Sequence, residues 1–238
     1  MTAKWVEKLT YLFSVPLAWV IIHALFQLDI VKKSPLALGP KIIAVNHPSF
    51  LDPLVIASAL SQQSYIFMTD VMFRVPIART YLRLSGHIPV APGRGEEALQ
   101  CAVAHLRQGD TIMNYPEGNN SPVVGGFLKE HTGVARMALE SGAPVYPAGI
   151  FILRERLRTR IDIVDGKRRV SHWYTKGPFV VTFGQPTVYH GDPQDRDTCR
   201  QVAHEIMLSV IKEADESQKR WELRNAKRTS HASKSLQK

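Results

Sequence analysis

Cysteine is scarce in this chain, with only Cys101 and Cys199 among 238 residues. The two lack the spacing of metal ligands and are too few for a disulfide scaffold, so we expect a reducing compartment and no metal site. A G-x-S-x-G nucleophile elbow is also missing from the sequence. The chain therefore offers no enzyme nucleophile of that kind.

The chain also lacks an apolar run free of interruptions. Residues 9–30 have the length of a membrane span, since about 20 apolar residues cross a bilayer. Four residues break the run: Pro16, His23, Gln27 and Asp29. No cleavage site of small residues follows, so a signal peptide is not expected. Residues 1–34 are therefore predicted to form an aromatic-rich helical segment lying partly in one leaflet, peripheral or monotopic; a helix pair packed on the core is the alternative.

Acidic residues are outnumbered, with 21 Asp and Glu against 30 Lys and Arg, for a net charge of +9. The excess predicts an anionic partner, either a phospholipid surface or a nucleic acid. No RNA-binding signature with interleaved aromatics occurs, so nucleic acid is not expected. Basic residues concentrate at 154–169, predicted as a solvated hairpin or a contact for anionic groups, and in the tail 217–238, predicted to be frayed or surface-bound.

Strand-like and helix-like segments alternate through the middle of the chain. Strands are predicted at 41–47, 64–69, 87–90, 110–115, 143–152 and 178–184. Helices are predicted at 52–60, 76–85, 95–109, 132–142 and 193–216. This order predicts an α/β fold, a layered domain over residues 35–216 with a mostly parallel mixed sheet flanked by helices. The membrane-associating helical segment precedes that domain.

The first polar motif, NHPSFLD, follows the strand at 41–47 directly. The strand delivers His47 to the carboxyl edge of the sheet, where α/β proteins place their ligands. Asp52 opens the next helix and can fold back onto the imidazole. Such a pair fixes the tautomer and stabilises the imidazolium that forms when His47 takes a proton. We therefore expect a general base acting on a substrate hydroxyl; an ordinary histidine near a helix cap is the alternative.

The second polar motif, NYPEGNNSP at 114–122, also follows a strand. Its proline and Gly118 are expected to shape a turn that exposes Glu117 and backbone N–H groups. The neutral side chains Asn119, Asn120 and Ser121 add donors and acceptors for a polyol or a phosphate. A surface turn without function is the alternative.

Taken together in this order, NHPSFLD and YPEGNNS resemble the membrane-associated glycerolipid acyltransferases, the branch that includes lysophosphatidate (1-acylglycerol-3-phosphate) acyltransferase. Three further stretches agree with that family: GHIPV at 86–90, HTGVARMALESG at 131–142 and VYPAGI at 145–150. The resemblance covers about residues 35–190.

The resemblance implies transfer of a fatty acyl group from acyl-CoA or acyl carrier protein to a lyso-lipid or polyol hydroxyl, at the cytoplasmic face of a membrane. It implies that His47 is the general base and Asp52 its partner, and Asn46 beside them is expected to bind substrate. Glu117 and Gly118 are implied to bind the acceptor. No metal or other cofactor is expected, because a thioester is already activated. The basic stretch 154–169 would then contact anionic lipid heads or the phosphates of the acyl carrier.

The chain departs from the family pattern where positive charge is expected. Asn119 and Asn120 stand in place of Thr and Arg, Ala91-Pro92 in place of Asp-Arg, and Thr69-Asp70 in place of a lysine. A phosphomonoester is best held by Arg or Lys. We therefore expect an acceptor with a less charged head group, unless Arg94 and Lys129 supply the missing charge.

Two other functions use the same features. A lipid or thioester hydrolase would direct His47 at water instead of an acceptor hydroxyl. A non-catalytic basic module for membrane or nucleic acid would explain the net charge but not the paired motifs.

Overall fold

The computed structural model describes residues 3–164 and 167–235. The helices in this part of the chain are α1 (Lys4–Leu25), α2 (Asp52–Ala59), α3 (Pro76–Leu84), α4 (Gly95–Arg107), α5 (Gly133–Ser141) and α6 (Arg196–Ser235). The strands are β1 (Phe26–Lys32), β2 (Lys41–Val45), β3 (Ser64–Thr69), β4 (Ile88–Val90), β5 (Thr111–Asn114), β6 (Val145–Ile152), β7 (Arg158–Val164), β8 (Lys167–Trp173) and β9 (Gly177–Phe183). Short 3-10 turns occupy Asp70–Arg74 and Arg154–Arg156.

Seven strands form one sheet in the order β1-β9-β6-β2-β5-β3-β4. The strands from β6 to β4 run parallel to one another, β9 is antiparallel to β6, and β1 is parallel to β9. β7 and β8 form a separate antiparallel hairpin. The predicted fold class, a mostly parallel mixed sheet flanked by helices and preceded by an apolar helix, is confirmed. The elements predicted between residues 41 and 184 are present, with ends within two residues of those expected.

The sheet is covered on both faces, as the continuous apolar run of β2 requires. Ile42 and Ala44 pack with the buried side chains of α4, α5 and α6. Ile43 and Val45 pack on the other face with α2, the end of α1 and the base of the β7–β8 hairpin. Because β2 is buried on both sides at the centre of the sheet, the polar residues that follow it start from a rigid position.

The first strand of the sheet is a correction to the sequence prediction. Residues 26–32 were assigned to the N-terminal helical segment, but α1 ends at Leu25 and β1 follows at once. β1 pairs along its whole length with β9. Phe26 is buried, and Leu28 and Ile30 pack against the core at every second position, which is the spacing of a strand.

The last helix is a second correction, because α6 continues far beyond the predicted end at residue 216. The hydroxyl of Ser217 is buried and donates to the Gly149 carbonyl of β6 at 2.8 Å. A Cβ on Gly149 would lie 1.9 Å from the backbone of α6, so only glycine permits this close packing. Arg220 bonds with Asp29 of β1. Contacts with distant strands therefore hold residues 217–224 of the helix, the first part of the tail that was predicted to be frayed or surface-bound.

A cluster of polar residues fixes the beginning of α1 to the domain. Lys4 forms an ion pair with Asp110 at 2.5 Å, and Asp110 also lies 2.8 Å from Nδ1 of His105. The buried Glu7 accepts a hydrogen bond from the Tyr65 hydroxyl at 2.9 Å. Burial opposes the charging of His105, but hydrogen bonds with Asp110 and the Cys101 thiol raise the pKa of His105 to about 9. We call Lys4, Glu7, Tyr65, His105 and Asp110 the α1 anchor cluster.

Candidate active site

His47 and Asp52 meet in the short connection between β2 and α2, as predicted. Nδ1 of His47 lies 3.0 Å from Oδ2 of Asp52. The same oxygen accepts the backbone N–H of Ser49 at 2.8 Å. Asp52 is the first residue of α2, where the helix dipole favours a negative charge.

The carboxylate is sealed from solvent, whereas the imidazole is not. Asp52 is fully buried, and the side chain of His47 is 19% exposed. Burial raises the pKa of the Asp52 carboxyl, and its hydrogen bonds with His47 and Ser49 oppose that rise. With Nδ1–H of His47 directed at Asp52, Nε2 is the nitrogen that carries the lone pair. An imidazole in this tautomer can accept one proton at Nε2, and the side chain of His47 is accessible from solvent.

An aromatic ring supports the imidazole from within the protein. The ring of Tyr115 lies 4.2 Å from that of His47, centroid to centroid. Its hydroxyl is directed at the sulfur of Met113, 3.2 Å away. Burial raises the pKa of Tyr115 well above its ordinary value, so the phenol stays neutral. Tyr115 thus restricts the orientation of His47 without adding charge.

The second motif lies beside the first, but Glu117 is not exposed as predicted. It is 1% exposed, because its carboxylate points inward between the two loops. Oε1 accepts the backbone N–H of His47 at 3.1 Å and the hydroxyl of Ser121 at 2.6 Å. Oε2 accepts the N–H of Leu128 at 2.8 Å. Glu117 therefore ties both motifs together; its predicted contact with an acceptor stays a prediction.

The turn after Glu117 closes over the first motif. The backbone N–H of Ser121 and the amide of Asn120 both donate to the His47 carbonyl, at 2.8 and 3.2 Å. Gly118 has φ +68°, and a Cβ there would lie 2.7 Å from the ring of His131. Gly118 and Asn119 are exposed at the mouth of the site. They lie in the same turn as Asn120 and Ser121, which contact His47, and their contacts with substrate stay predictions.

The side chain of Asn46 is hydrogen-bonded to the backbone of the neighbouring strand, β6. Its amide donates to the Ile150 carbonyl at 2.9 Å and accepts the Ile150 N–H at 2.7 Å. The residue is almost fully buried. Asn46 therefore aligns the ends of β2 and β6, which positions the histidine that follows. Its predicted contact with substrate stays a prediction.

The two candidate cations, Arg94 and Lys129, lie on the surface. Arg94 forms a forked ion pair with Glu97 at the start of α4, at the far side of the sheet beyond β3. Lys129 is exposed and follows Leu128. Neither has a hydrogen bond with the two motif loops among the residues that the structure describes. Their role in holding an acceptor stays a prediction.

Arg154 and His172 also belong to the site, although neither lies in the two sequence motifs. The Arg154 guanidinium donates to the carbonyls of Pro122 and Gly126, which shape the second loop. The backbone N–H of His172 donates to the Asn120 side chain at 3.2 Å, and its carbonyl accepts the Phe50 N–H at 2.7 Å. Burial and the nearby charges of Arg154 and His47 lower the pKa of His172. In the sequence, Arg154 is marked only as the first residue of the basic stretch 154–169, and His172 only by following that stretch closely.

Metal ligation is not indicated in the described part of the chain. Within residues 3–164 and 167–235, no group of three or more His, Cys, Asp or Glu side chains is placed to hold an ion.

The chain is similar to known acyltransferases in both sequence and fold. Residues 27–151, more than half of the chain, match a family model described as Acyltransferase. No curated protein matches the sequence. The fold is similar to the crystal structure of the 1-acyl-sn-glycerophosphate (LPA) acyltransferase PlsC from Thermotoga maritima, with a TM-score of 0.58 and 22% identity. That similarity covers 90% of this chain and 80% of the other.

Proposed function

The chain belongs to the acyltransferase family, and from this we propose that it moves a fatty acyl group from a thioester carrier to a hydroxyl of a lyso-lipid or related polyol. Acyl-CoA and acyl carrier protein are the two donor classes. His47 is the proposed general base and Asp52 its partner. The observation that carries the proposal is the 3.0 Å contact between His47 Nδ1 and the buried Asp52 carboxylate, in a histidine whose side chain is still 19% exposed.

The reaction needs one base and no enzyme nucleophile. The acceptor hydroxyl attacks the thioester carbonyl while its proton passes to Nε2 of His47. The resulting imidazolium faces the Asp52 carboxylate, which stabilises its charge. When the tetrahedral intermediate collapses, the carbon–sulfur bond breaks, and His47 returns the proton to the departing thiolate. The products are the ester and the free thiol.

The developing oxyanion needs donors near His47. The backbone N–H groups of Asn119 and Asn120 have no hydrogen-bond partner among the residues that the structure describes. They lie at the mouth of the site in the turn that covers the His47 carbonyl. We assign them as candidate oxyanion donors, a role in which one donor is worth about 10²–10³-fold in rate.

The acceptor is proposed to carry a less charged head group than lysophosphatidate. Asn120 stands where the resembled family has arginine, and its amide is already bonded to the His47 carbonyl and the His172 N–H. Arg154 brings a cation to the second loop, but its guanidinium is engaged by two backbone carbonyls. Arg94 and Lys129 lie on the surface, as described above. This arrangement supplies less free positive charge than a phosphomonoester favours.

A membrane surface is the proposed location of the reaction, at its cytoplasmic face. α1 is long and apolar enough to cross a bilayer by length and composition, and only 6% of its most apolar stretch is buried. Large apolar side chains project from it, including Phe13 at 74% exposed and Leu17 at 63%. Both ends of α1 are attached to the same domain, through the α1 anchor cluster and through β1. We therefore propose that α1 lies in one leaflet instead of spanning the bilayer.

The catalytic proposal is tested by mixing the protein with acyl-CoA and a panel of lyso-lipids and polyols, and identifying the acylated product. His47→Ala is expected to lower kcat by about 10²–10⁴-fold with little change in unfolding. His204→Ala, an exposed histidine on α6, is the matched control and should keep full activity. Loss of less than tenfold in a folded His47→Ala protein contradicts the assignment. Release of free fatty acid without any ester product would favour the hydrolase alternative.

The membrane proposal is tested by sedimentation with anionic vesicles. The double variant Phe13→Ser/Leu17→Ser is expected to weaken binding at high and low salt alike, because the lost interaction is apolar. Deleting residues 1–30 is a poorer test, since it also removes most of β1 from the sheet. Unchanged binding of the double variant would show that α1 is not the anchor.

A further inference from the structure

The β7–β8 hairpin, described over residues 158–164 and 167–173, presents an exposed apolar stripe on one face. Ile161 is paired with Val170, and Ile163 lies two residues further along the same strand. Since alternate residues of a strand point to the same face, the three side chains share one side of the ribbon. Ile161 is 52% exposed, Val170 49% and Ile163 78%. Aliphatic side chains this exposed, grouped on one face, indicate a surface that is covered in use.

Arginine dominates the rest of the hairpin. The opposite face carries Arg158, Arg160 and Arg169. Arg168 is paired with Ile163, so it stands beside the apolar stripe near the tip. Over residues 158–173 the sequence has five Lys and Arg against two Asp. An apolar stripe bordered by cations is complementary to an anionic phospholipid surface, which offers acyl chains beneath negative head groups.

The apolar stripe leads directly to the candidate active site. His172 lies on the same face of the hairpin as Ile161 and Ile163, at the base, where Thr159 is its cross-strand partner. The backbone of His172 is bonded to both motif loops, through Phe50 and Asn120. A lipid lying along this face would therefore reach the edge of the site beside His47.

The hairpin also rises from the side of the domain that carries the end of α1. The ring of Tyr174, just after β8, stacks on Phe26, which follows α1, with centroids 5.9 Å apart. Both rings belong to the apolar cluster on the face of β2 that carries Ile43 and Val45. The exposed end of α1 and the base of the hairpin thus adjoin the same edge of the sheet.

We propose that the β7–β8 hairpin is a second lipid-docking element, with Ile161, Ile163 and Val170 entering an anionic phospholipid surface and the surrounding arginines binding its head groups. The hairpin and α1 then border the active site from two directions. The role of this docking element, bringing the active site to a lipid acceptor, rests on the proposed function. The hairpin lies outside residues 27–151, the part of the chain that matches the acyltransferase family.

The test is partition of the full chain onto vesicles, which does not require turnover. The triple variant Ile161→Ser/Ile163→Ser/Val170→Ser is expected to lower the partition coefficient by about tenfold or more on phosphatidylglycerol-containing vesicles. The matched control replaces three exposed aliphatic residues elsewhere, Val188→Ser/Leu208→Ser/Leu223→Ser, which are 46–64% exposed, and should partition as wild type.

A second variant tests the charge contribution and covers the case in which the triple variant misfolds. Arg168→Gln/Arg169→Gln is expected to lower partition onto anionic vesicles by about fivefold for each arginine, with no change on neutral phosphatidylcholine vesicles. Both variants should retain turnover of a short-chain acceptor that is monomeric in solution.

Wild-type partition by both variants overturns the proposal, even if the protein is an acyltransferase. Weaker capture of acyl carrier protein with unchanged vesicle binding also overturns it, in favour of a protein partner. Absence of acyl transfer in the wild-type protein would refute the proposed function and leave the partition result standing.

Discussion

Replacing Glu117 by glutamine separates two roles for this residue. The carboxylate accepts three hydrogen bonds, from the His47 N–H, the Ser121 hydroxyl and the Leu128 N–H. Glutamine keeps one carbonyl oxygen, which can serve the first two donors. Its amide NH₂ then faces the N–H of Leu128, so that bond is lost and two donors oppose each other. A hydrogen bond to a charged group is worth about 1.5–3 kcal/mol, so we expect the free energy of unfolding to fall by about 2 kcal/mol.

Urea denaturation and steady-state kinetics on the same protein decide the outcome. If Glu117 joins the motif loops, kcat falls together with stability, and KM for the acceptor changes little. Glu130→Gln is the matched control, since Glu130 lies on the same segment and contacts an exposed histidine of α6. A variant within about 0.5 kcal/mol of wild-type stability, with a raised acceptor KM, would refute this reasoning and make Glu117 an acceptor contact.

Three further predictions concern the catalytic pair, the acceptor and pH. Asp52→Asn is expected to lower kcat by about 100-fold or more, because an amide no longer stabilises the His47 imidazolium; a loss below tenfold contradicts this. Asn120→Arg should shift relative kcat/KM toward lysophosphatidate by about tenfold to a hundredfold and reduce stability, since two loop hydrogen bonds are lost. An unchanged ratio refutes it, and Asn119→Arg, at an exposed neighbour, is the control. The pKa of His105, about 9 in the folded protein, exceeds its unfolded value of about 6.5, so its contribution to stability is complete below pH 6.5 and is lost as pH rises through 9. Urea denaturation at pH 6.5 and pH 10 should differ by at most about 3 kcal/mol, and His105→Ala should remove most of that difference.

The parts of the site that could be predicted from sequence depend on local pattern. The apolar run of β2 and the five-residue spacing from His47 to Asp52 are readable because strand, loop and helix follow one another directly. The order of strands and helices between residues 41 and 184 gave the layered α/β fold for the same reason.

The parts that could not be predicted depend on distant partners. Glu117 sits among turn residues, which favour a surface position, and it is buried only because the His47 loop, 70 residues earlier, lies over it. β1 is hidden in a longer apolar segment, and its pairing partner β9 begins at Gly177. The extension of α6 depends on Gly149, where the absence of a side chain lets the helix approach the sheet.

The pairing of β1 with β9 has a consequence for the order in which the chain assembles. α1 and β1 leave the ribosome long before β9, so β1 has no strand partner until residues 177–183 have been made. Asp29 of β1 acquires its ion-pair partners later still, because Arg220 and Arg224 follow it by 191 and 195 residues. At about 5–20 residues per second, the delay before β9 emerges is on the order of 10–30 s. During that interval the apolar α1 segment is free of its domain, so attachment of the nascent chain to a bilayer can come before the sheet closes.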